Sequence, residues 1–164
     1  MKFYVMRHAD AVSSATWGKT DAARPLSKRG RKDLENALPG MRQEAFSFCS
    51  ILSSPYQRAR ETAEIISSVD KSVEIVLAPE LAAGASVSSI KKAVELFKER
   101  EPALVIGHIP DLAVFIGRVV GKADVQGTGL AQGEIVALET PGAEIHWSEG
   151  TILWRKRLDE WGRS

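Results

Sequence analysis

Short apolar runs and longer amphipathic stretches alternate along the chain as far as Gly121. The apolar runs have the length of β-strands and cover residues 3–6, 49–52, 73–77 and 103–106. A pattern with helical spacing follows each of them. Four strands that are each followed by a helix predict a parallel sheet with helices on both faces.

Serine, proline and glycine residues mark the ends of the predicted helices, which cover residues 27–38, 55–68, 86–99 and 110–120. We expect Pro39-Gly40 to stop the first helix. Ser53 and Ser54 are N-cap candidates for the second, with Pro55 in its first turn. Pro110 has the same place in the fourth helix, and Ile90, Val94 and Phe97 share one face of the third.

The pattern changes after Gly121. Residues 134–139 and 143–147 are predicted to be short strands joined at Pro141-Gly142, a hairpin at the edge of the sheet. Residues 151–161 fit either a terminal helix or, in their first half, an edge strand. At 164 residues the chain has the size of one domain, so we expect a single α/β domain over residues 1–164.

The composition is that of a soluble globular protein, with 44% hydrophobic and 26% charged residues. Lys and Arg total 22 against 21 Asp and Glu, a balance that does not favour nucleic acid or a membrane as partner. The N-terminal apolar run is too short for a signal peptide or a membrane span, and we expect a cytoplasmic protein. Cys49 is the only cysteine. It excludes an internal disulfide and a cysteine-based zinc site, and we expect its thiol to be buried.

Candidate site residues follow three of the four predicted strands. Arg7-His8 comes after the first strand, Ser54 and then Arg58 after the second, and His108 after the fourth. In open parallel sheets, ligands bind beyond the carboxyl ends of the strands. We therefore expect two histidines and two arginines, distant in sequence, to meet at one end of the sheet.

This set of residues predicts a phosphate site. Arg58 stands in the first turn of a helix, where a cation opposes the helix dipole unless an anion lies between them. Arginine forks bind phosphate oxygens in pairs. A neutral imidazole is a nucleophile, and an acceptor at its other nitrogen would fix its tautomer. We assign nucleophilic attack to His8 and hydrogen-bond donation to His108.

Three segments resemble the signature of the histidine phosphatase superfamily: Arg7-His8-Ala9, the stretch from Ser54-Pro55 through Arg58 to Thr62-Ala63, and Gly107-His108. Together with the segment from Arg24-Pro25 to Gly30 and the short chain, they are most similar to the bacterial SixA-type phosphohistidine phosphatases. The resemblance implies a three-layer α/β/α sandwich with a mostly parallel sheet. It also implies that His8 is phosphorylated and that Arg7, Arg58 and His108 form the phosphate pocket.

Other residues near these motifs have weaker assignments. Arg24 matches the resemblance and, with Ser54, is a further substrate-binding candidate, whereas we expect Ser27 to be a helix N-cap. Glu80 resembles the proton donor of related mutases and is either a general acid or a solvated loop carboxylate. Asp10 and Asp21 do not form a clustered set at metal-ligand spacing, so neither a metal nor another cofactor is expected.

The expected activity is hydrolysis of phosphohistidine on a protein, such as a phosphotransfer domain, in signal transduction. Two alternatives stay open: a phosphatase of small phosphate esters, and a phosphohistidine-binding module without turnover. The basic segment Arg155-Lys156-Arg157 is followed by acidic residues and is typical of a solvated face, so nucleic-acid binding is not expected.

Overall fold

The computed structural model describes residues 1–122 and 129–162. One sheet has the strand order β3-β2-β4-β1-β5-β6. Its strands are β1 (Lys2–Arg7), β2 (Ser50–Ser53), β3 (Glu74–Leu77), β4 (Ala103–Gly107), β5 (Ile135–Glu139) and β6 (Thr151–Lys156). The first four strands pair in parallel, whereas β5 is antiparallel to both β1 and β6. The sheet is therefore mostly parallel with an antiparallel edge, as predicted.

Helices cover both faces of the sheet. One face packs against α2 (Lys28–Gln43) and α3 (Gln57–Ser67), and the other against α4 (Val87–Glu95) and α5 (Asp111–Val120). Successive side chains of a strand point to opposite faces. Accordingly Phe3 and Val5 belong to the α4–α5 core, and Tyr4 and Met6 to the α2–α3 core. This arrangement is the α/β/α sandwich that the resemblance implies.

Short helical elements lie in the loops. The connection from β1 to α2 carries α1 (Ser14–Trp17) and a 3-10 helix at Asp21–Ala23. Further 3-10 helices are Pro79–Leu81, Lys98–Arg100 and Leu158–Glu160. Among the described residues, no helix combines the length and the apolar composition that crossing a membrane requires.

The predicted stop at Pro39-Gly40 is wrong, because α2 continues through both residues to Gln43. Gly40 is buried, and a Cβ there would lie 2.5 Å from the backbone of Trp161. The glycine allows the C-terminal segment to pack closely against the helix. In this sequence, Gly40 therefore marks a close contact between two segments and not the end of the helix.

Three other helix boundaries also differ from the predictions. Tyr56, and not Ser53 or Ser54, is the N-cap residue of α3, and Pro110 is the N-cap residue of α5. The third helix ends at Glu95 instead of residue 99. The thiol of Cys49 is exposed, contrary to expectation, because its neighbours Phe46 and Phe48 fill the core instead.

The predicted strand at 143–147 is absent, and the partner of β5 is β6. Thus the second interpretation of residues 151–161, an edge strand in their first half, is correct. The 143–147 segment is attached to helices: the amide of Ile145 donates to Glu95 of α4 (2.7 Å), and Trp147 packs against Phe115 of α5. In β6, Arg155 pairs with Glu134 and Lys156 with Glu44, so this basic segment is engaged in ion pairs and is not simply solvated.

Candidate active site

Three adjacent strands, β2, β4 and β1, end side by side in the middle of the sheet. The amide of His8 donates to the carbonyl of Gly107 (3.1 Å), and that of Ser54 to the carbonyl of Ile106 (2.9 Å). The residues that follow the three strands therefore lie at one level. The imidazoles of His8 and His108 have their centroids 5.2 Å apart.

Arg58, in the first turn of α3, links the two imidazoles. Its Nε donates to Nε2 of His8 (3.2 Å) and its Nη2 to Nδ1 of His108 (3.2 Å). Arg58 is only 3% exposed, and the ring of Tyr56 lies 5.1 Å from its guanidinium carbon. The predicted convergence of these residues is thus observed, with the arginine held inside the site.

The hydrogen bonds of His8 fix its neutral tautomer. Nδ1 lies 2.7 Å from the carbonyl oxygen of Ala9, which only accepts, so Nδ1 carries the proton. Nε2 faces a guanidinium N–H, which only donates, so Nε2 carries the lone pair. The acceptor expected at the second nitrogen is therefore a backbone carbonyl.

The environment of His8 keeps this imidazole uncharged. Burial lowers its pKa to about 4, even though the hydrogen bond to Ala9 acts in the opposite direction. The positive charges of Arg58, Arg7 and Arg24 contribute to the same lowering of the pKa. At neutral pH the Nε2 lone pair is available, and this is the form in which an imidazole attacks phosphorus.

His108 has the opposite tautomer. Its Nδ1 accepts from Arg58, so the proton is on Nε2, which donates to Oγ of Ser54 (2.8 Å). The same hydroxyl oxygen accepts from the amide of Tyr56 (3.2 Å). Burial, followed by the charges of His8 and Arg58, lowers the pKa of His108 to about 3. Ser54 is therefore in contact with His108 and orients its ring.

Arg7 brings a second guanidinium to the end of β1. Its Nη1 donates to the carbonyl of Leu130 (3.1 Å). Its Nε is buried, and among the described residues it has no hydrogen-bond partner. Burial lowers the pKa of Arg7, and the charge of Asp10 offsets part of that effect. A buried guanidinium N–H without a protein acceptor is suited to an anionic ligand.

Arg24 reaches the site from the loop between β1 and α2. Its Nε donates to Oδ1 of Asp21 (2.8 Å) and its Nη1 to the carbonyl of Val12 (2.9 Å). The other carboxylate oxygen of Asp21 accepts from Nη2 of Arg58 (2.9 Å). The site therefore gathers three guanidinium groups and one carboxylate around two neutral imidazoles, an arrangement that attracts a dianion.

A model of the histidine phosphatase superfamily (branch 1) matches residues 3–83, a segment that contains Arg7, His8 and Arg58. The solved structure of the protein histidine phosphatase SixA complexed with tungstate matches 98% of this chain and 99% of its own. Its TM-score is 0.78 and its sequence identity 20%. The chain belongs to the histidine phosphatase superfamily.

The chain is also similar to two further proteins over most of its length. The solved structure of the alpha-ribazole phosphatase from Shigella flexneri has a similar fold, with a TM-score of 0.71 and 17% identity, over 93% of this chain and 94% of its own. An uncharacterized protein of Picosynechococcus sp. is 26% identical over 163 residues, which are 98% of each chain. At such identities, the solved structures establish the fold.

Ser27 has the helix N-cap role that was predicted for it. Its Oγ accepts from the amide of Gly30 (2.9 Å), so Ser27 is the N-cap residue of α2. The same hydroxyl donates to Oδ2 of Asp10 (2.5 Å), whose Oδ1 pairs with Arg29 (2.9 Å). Asp10 therefore fastens the chain just after His8 to the start of α2.

Glu80, the candidate proton donor by resemblance to superfamily mutases, lies on the 3-10 helix Pro79–Leu81 after β3. Its side chain is half-buried and forms no hydrogen bond or ion pair with any other described residue. Neither a hydrogen bond nor an ion pair joins it to His8, Arg58 or His108, and its role as general acid stays a prediction. Within residues 1–122 and 129–162, no group of three or more His, Cys, Asp or Glu side chains is arranged to hold a metal ion.

Two residues at this site, Thr62 and Asp21, have functions that the sequence motifs did not indicate. The Oγ1 of Thr62 accepts from the amide of Ala9 (3.2 Å) and donates to the carbonyl of Arg58 (2.7 Å). One buried hydroxyl thus joins the backbone beside His8 to the first turn of α3. The other residue is Asp21. The spacing of three residues between Asp21 and Arg24 is a sequence sign of their ion pair. No feature of the sequence indicates that Arg58 is the second partner of Asp21.

Proposed function

We propose that the protein is a phosphatase that removes the phosphoryl group from a phosphohistidine of another protein, through a phosphorylated His8. Superfamily membership supports phosphatase activity. One observation carries the mechanism: the buried, neutral imidazole of His8 has its proton on Nδ1, held by Ala9, and its lone pair on Nε2, beside Arg58.

In the first step, Nε2 of His8 attacks the phosphorus atom and the bond from phosphorus to the substrate's imidazole breaks. Arg7 and Arg58 bind the phosphoryl oxygens and stabilise the charge of the transition state. The leaving imidazole takes up a proton from solvent before or during departure. Attack by His8 converts its ring to a phosphoimidazolium. The proton stays on Nδ1 throughout, and Nδ1 donates its hydrogen bond to the carbonyl oxygen of Ala9.

In the second step, water attacks the phosphorus atom of phospho-His8. The bond from phosphorus to Nε2 breaks, the electron pair returns to Nε2, and inorganic phosphate leaves with one proton of the water released. The enzyme regains its original tautomer. The mechanism uses only side chains and water, and in it neither a metal nor a cofactor takes part.

Phosphohistidine is the substrate that suits this site best. An alkoxide leaves poorly unless an acid protonates it, whereas an imidazole can be protonated by solvent beforehand. Glu80, the acid candidate, forms no hydrogen bond or ion pair with another described residue. The similarity in sequence motifs to SixA-type enzymes, and in fold to the protein histidine phosphatase SixA, supports the same substrate class. The proposed partner is accordingly a phosphohistidine-containing protein in a cytoplasmic signalling pathway.

A phosphatase of small phosphate esters is the second candidate. Solved structures with the same fold include alpha-ribazole phosphatase and a phosphoserine phosphatase in complex with phosphoserine. Glu80 follows β3, next to β2 in the sheet, and is the candidate acid for such substrates. A module that binds phosphohistidine without turnover is the third.

The test is a rapid-quench experiment in the presence of a metal chelator. The purified protein is mixed with a phosphohistidine-bearing phosphotransfer protein, with phosphoserine or with an aryl phosphate, and the quenched enzyme is analysed by mass spectrometry. We expect fastest turnover of phosphohistidine and an acid-labile phosphate on His8. His8→Asn should abolish turnover. The exposed His146 provides a matched control, because His146→Asn should leave turnover unchanged.

Other results would favour an alternative function or contradict the proposed mechanism. Faster hydrolysis of phosphoserine or the aryl phosphate would favour the small-ester phosphatase. Tight binding of the phosphoprotein without release of phosphate would favour the binding module. Full activity of His8→Asn would contradict the covalent mechanism, and loss of activity that magnesium or manganese restores after chelation would contradict its metal-free chemistry.

A further inference from the structure

Asp21 accepts two hydrogen bonds from one edge of the Arg58 guanidinium. Its backbone carbonyl accepts from Nη1 (2.8 Å) and its carboxylate oxygen Oδ2 accepts from Nη2 (2.9 Å). A guanidinium offers two paired edges, one formed by Nη1 and Nη2 and the other by Nε and Nη2. Asp21 holds the first of these edges with two acceptors.

The second edge of Arg58 faces the site. Nε donates to His8 and Nη2 donates to His108, both at 3.2 Å. These are the donors that a phosphoryl group between the two imidazoles would meet. The contacts of Asp21 therefore lie on the side of the guanidinium away from the reacting atoms.

The loop from β1 to α2 holds Asp21 in this position. The indole of Trp17 donates to the carbonyl of Thr20 (2.9 Å), directly before Asp21. The amide of Arg24 donates to the carbonyl of Asp21 (3.1 Å), and its guanidinium pairs with the carboxylate (2.8 Å). Although Asp21 is exposed, both of its carboxylate oxygens are engaged by arginines.

Burial would raise the pKa of Asp21, but hydrogen bonds from Arg24 and Arg58 outweigh that effect and hold its pKa below the usual value. The carboxylate is therefore charged at neutral pH. It offsets part of the repulsion between two guanidinium groups that converge on one anion.

We propose that Asp21 is a positioning residue, which fixes the Arg58 guanidinium so that its Nε–Nη2 edge is presented to the phosphoryl group. The inference rests on the proposed function of the site as a phosphoryl-transfer pocket. It makes the 3-10 helix Asp21–Ala23 part of the active site. A carboxylate that instead competed with the substrate for Arg58 would have the opposite effect on anion binding.

The experiment compares wild type, Asp21→Ala and Asp21→Asn in steady-state kinetics with a substrate that wild type hydrolyses. Vanadate binding to each protein is measured by calorimetry. Glu74→Ala is the matched control, because Glu74 also pairs with an arginine, Arg100, at an exposed position outside the site.

We expect Asp21→Ala to lower kcat/KM by about 10- to 100-fold, chiefly through kcat, and to weaken vanadate binding, since a misplaced catalytic group can cost about this much. Asp21→Asn should recover part of the loss, because its amide oxygen can still accept from Nη2. Thermal unfolding of Asp21→Ala should stay close to that of wild type, and Glu74→Ala should match wild type throughout.

Tighter vanadate binding by Asp21→Ala would overturn the proposal and identify Asp21 as a competitor for the arginine. Unchanged kinetics would also overturn it. An equal loss in Asp21→Ala and Asp21→Asn, together with lowered thermal stability in both, would assign Asp21 to loop folding instead. If wild type itself neither turns over any substrate nor binds vanadate, the proposed function fails, which is distinct from an active wild type that Asp21→Ala equals.

Discussion

Arg58 donates a hydrogen bond to each site histidine, and both imidazoles turn a lone pair toward it. For His8 this arrangement suits attack. For His108 it means that Nδ1, the nitrogen beside Arg58, has no proton to give to a phosphoryl oxygen. The donor role that we assign to His108 therefore requires either a shift of its proton from Nε2 to Nδ1 or a second proton on its ring.

A bound dianion would supply the reason for that proton, because a negative charge beside the ring raises its pKa from about 3. We predict that anion binding takes up a proton at His108. Calorimetric titration of inorganic phosphate at about pH 8, where most of the phosphate is dianionic, in buffers of different ionisation enthalpy measures this uptake. The His108→Asn variant should take up fewer protons by up to one per site. Equal uptake by both proteins would show that His108 stays neutral.

At the scale of residues, the sequence was sufficient to predict which groups meet at the end of the sheet and insufficient to predict those that orient them. His8, Ser54 and His108 follow strands whose apolar runs are evident, so their convergence could be predicted. The carbonyl of Ala9 and the hydroxyl of Thr62 act through partners that depend on backbone geometry. Asp21 depends on the path of a loop, and contacts across 37 residues leave no local pattern.

At the scale of elements, the N-terminus of α2 packs closely against the chain after β1. A Cβ at Gly30 would lie 2.1 Å from the carbonyl oxygen of Asp10, two residues beyond His8. Neither partner can yield easily, because the amide of Ser27 donates to that same oxygen (3.0 Å). The glycine therefore sets the distance between the helix and the chain just after His8.

We predict that Gly30→Ala destabilises the protein by about 1–3 kcal/mol or more, as overpacking does, and lowers kcat by moving Asp10 and His8. Urea unfolding and turnover measure the two effects. Gly142 is the matched control, because it has an ordinary φ and a Cβ added there would meet no atom within 4 Å, so Gly142→Ala should behave as wild type. Wild-type stability of Gly30→Ala would mean that α2 shifts without cost.

Element types followed from periodicity, but several boundaries and one pairing did not. Pro39-Gly40 has the composition of a helix stop, yet tertiary packing against Trp161 gives the glycine another use. Residues 143–147 alternate like a strand, but Ile145 and Trp147 bury themselves against α4 and α5. In both cases contacts with distant segments outweighed the local preference.

At the scale of the whole molecule, the site makes folding sensitive to acid. An unfolded histidine has a pKa of about 6.5, whereas burial holds His8 at about 4 and His108 at about 3. Both folded pKa values are depressed, so the unfolded chain binds more protons as the pH falls below about 6.5. The stabilising contribution is complete above that pH and is lost as the pH falls toward the folded values.

We predict that wild type loses more stability between about pH 6.5 and 4 than His8→Asn does, by up to about 3 kcal/mol. Urea unfolding at several pH values measures the difference. His146→Asn, altered at an exposed histidine, should keep the wild-type slope. The lowered pKa values of Asp10 and Asp21 add a loss of stability that begins only near about pH 5 and is common to both proteins, so it does not affect their difference. Parallel pH profiles for wild type and His8→Asn would show that the folded imidazole accepts protons freely.

The strand order has one more consequence. The residues proposed for chemistry follow β2, β4 and β1, three neighbours in the middle of the sheet, while β3 and the β5–β6 pair form its margins. The margins reach the site at two places described above, through Glu80 after β3 and through the carbonyl of Leu130, just before β5, which accepts from Arg7. An engineer seeking a new substrate would therefore vary these marginal segments first and leave the three central strands unchanged.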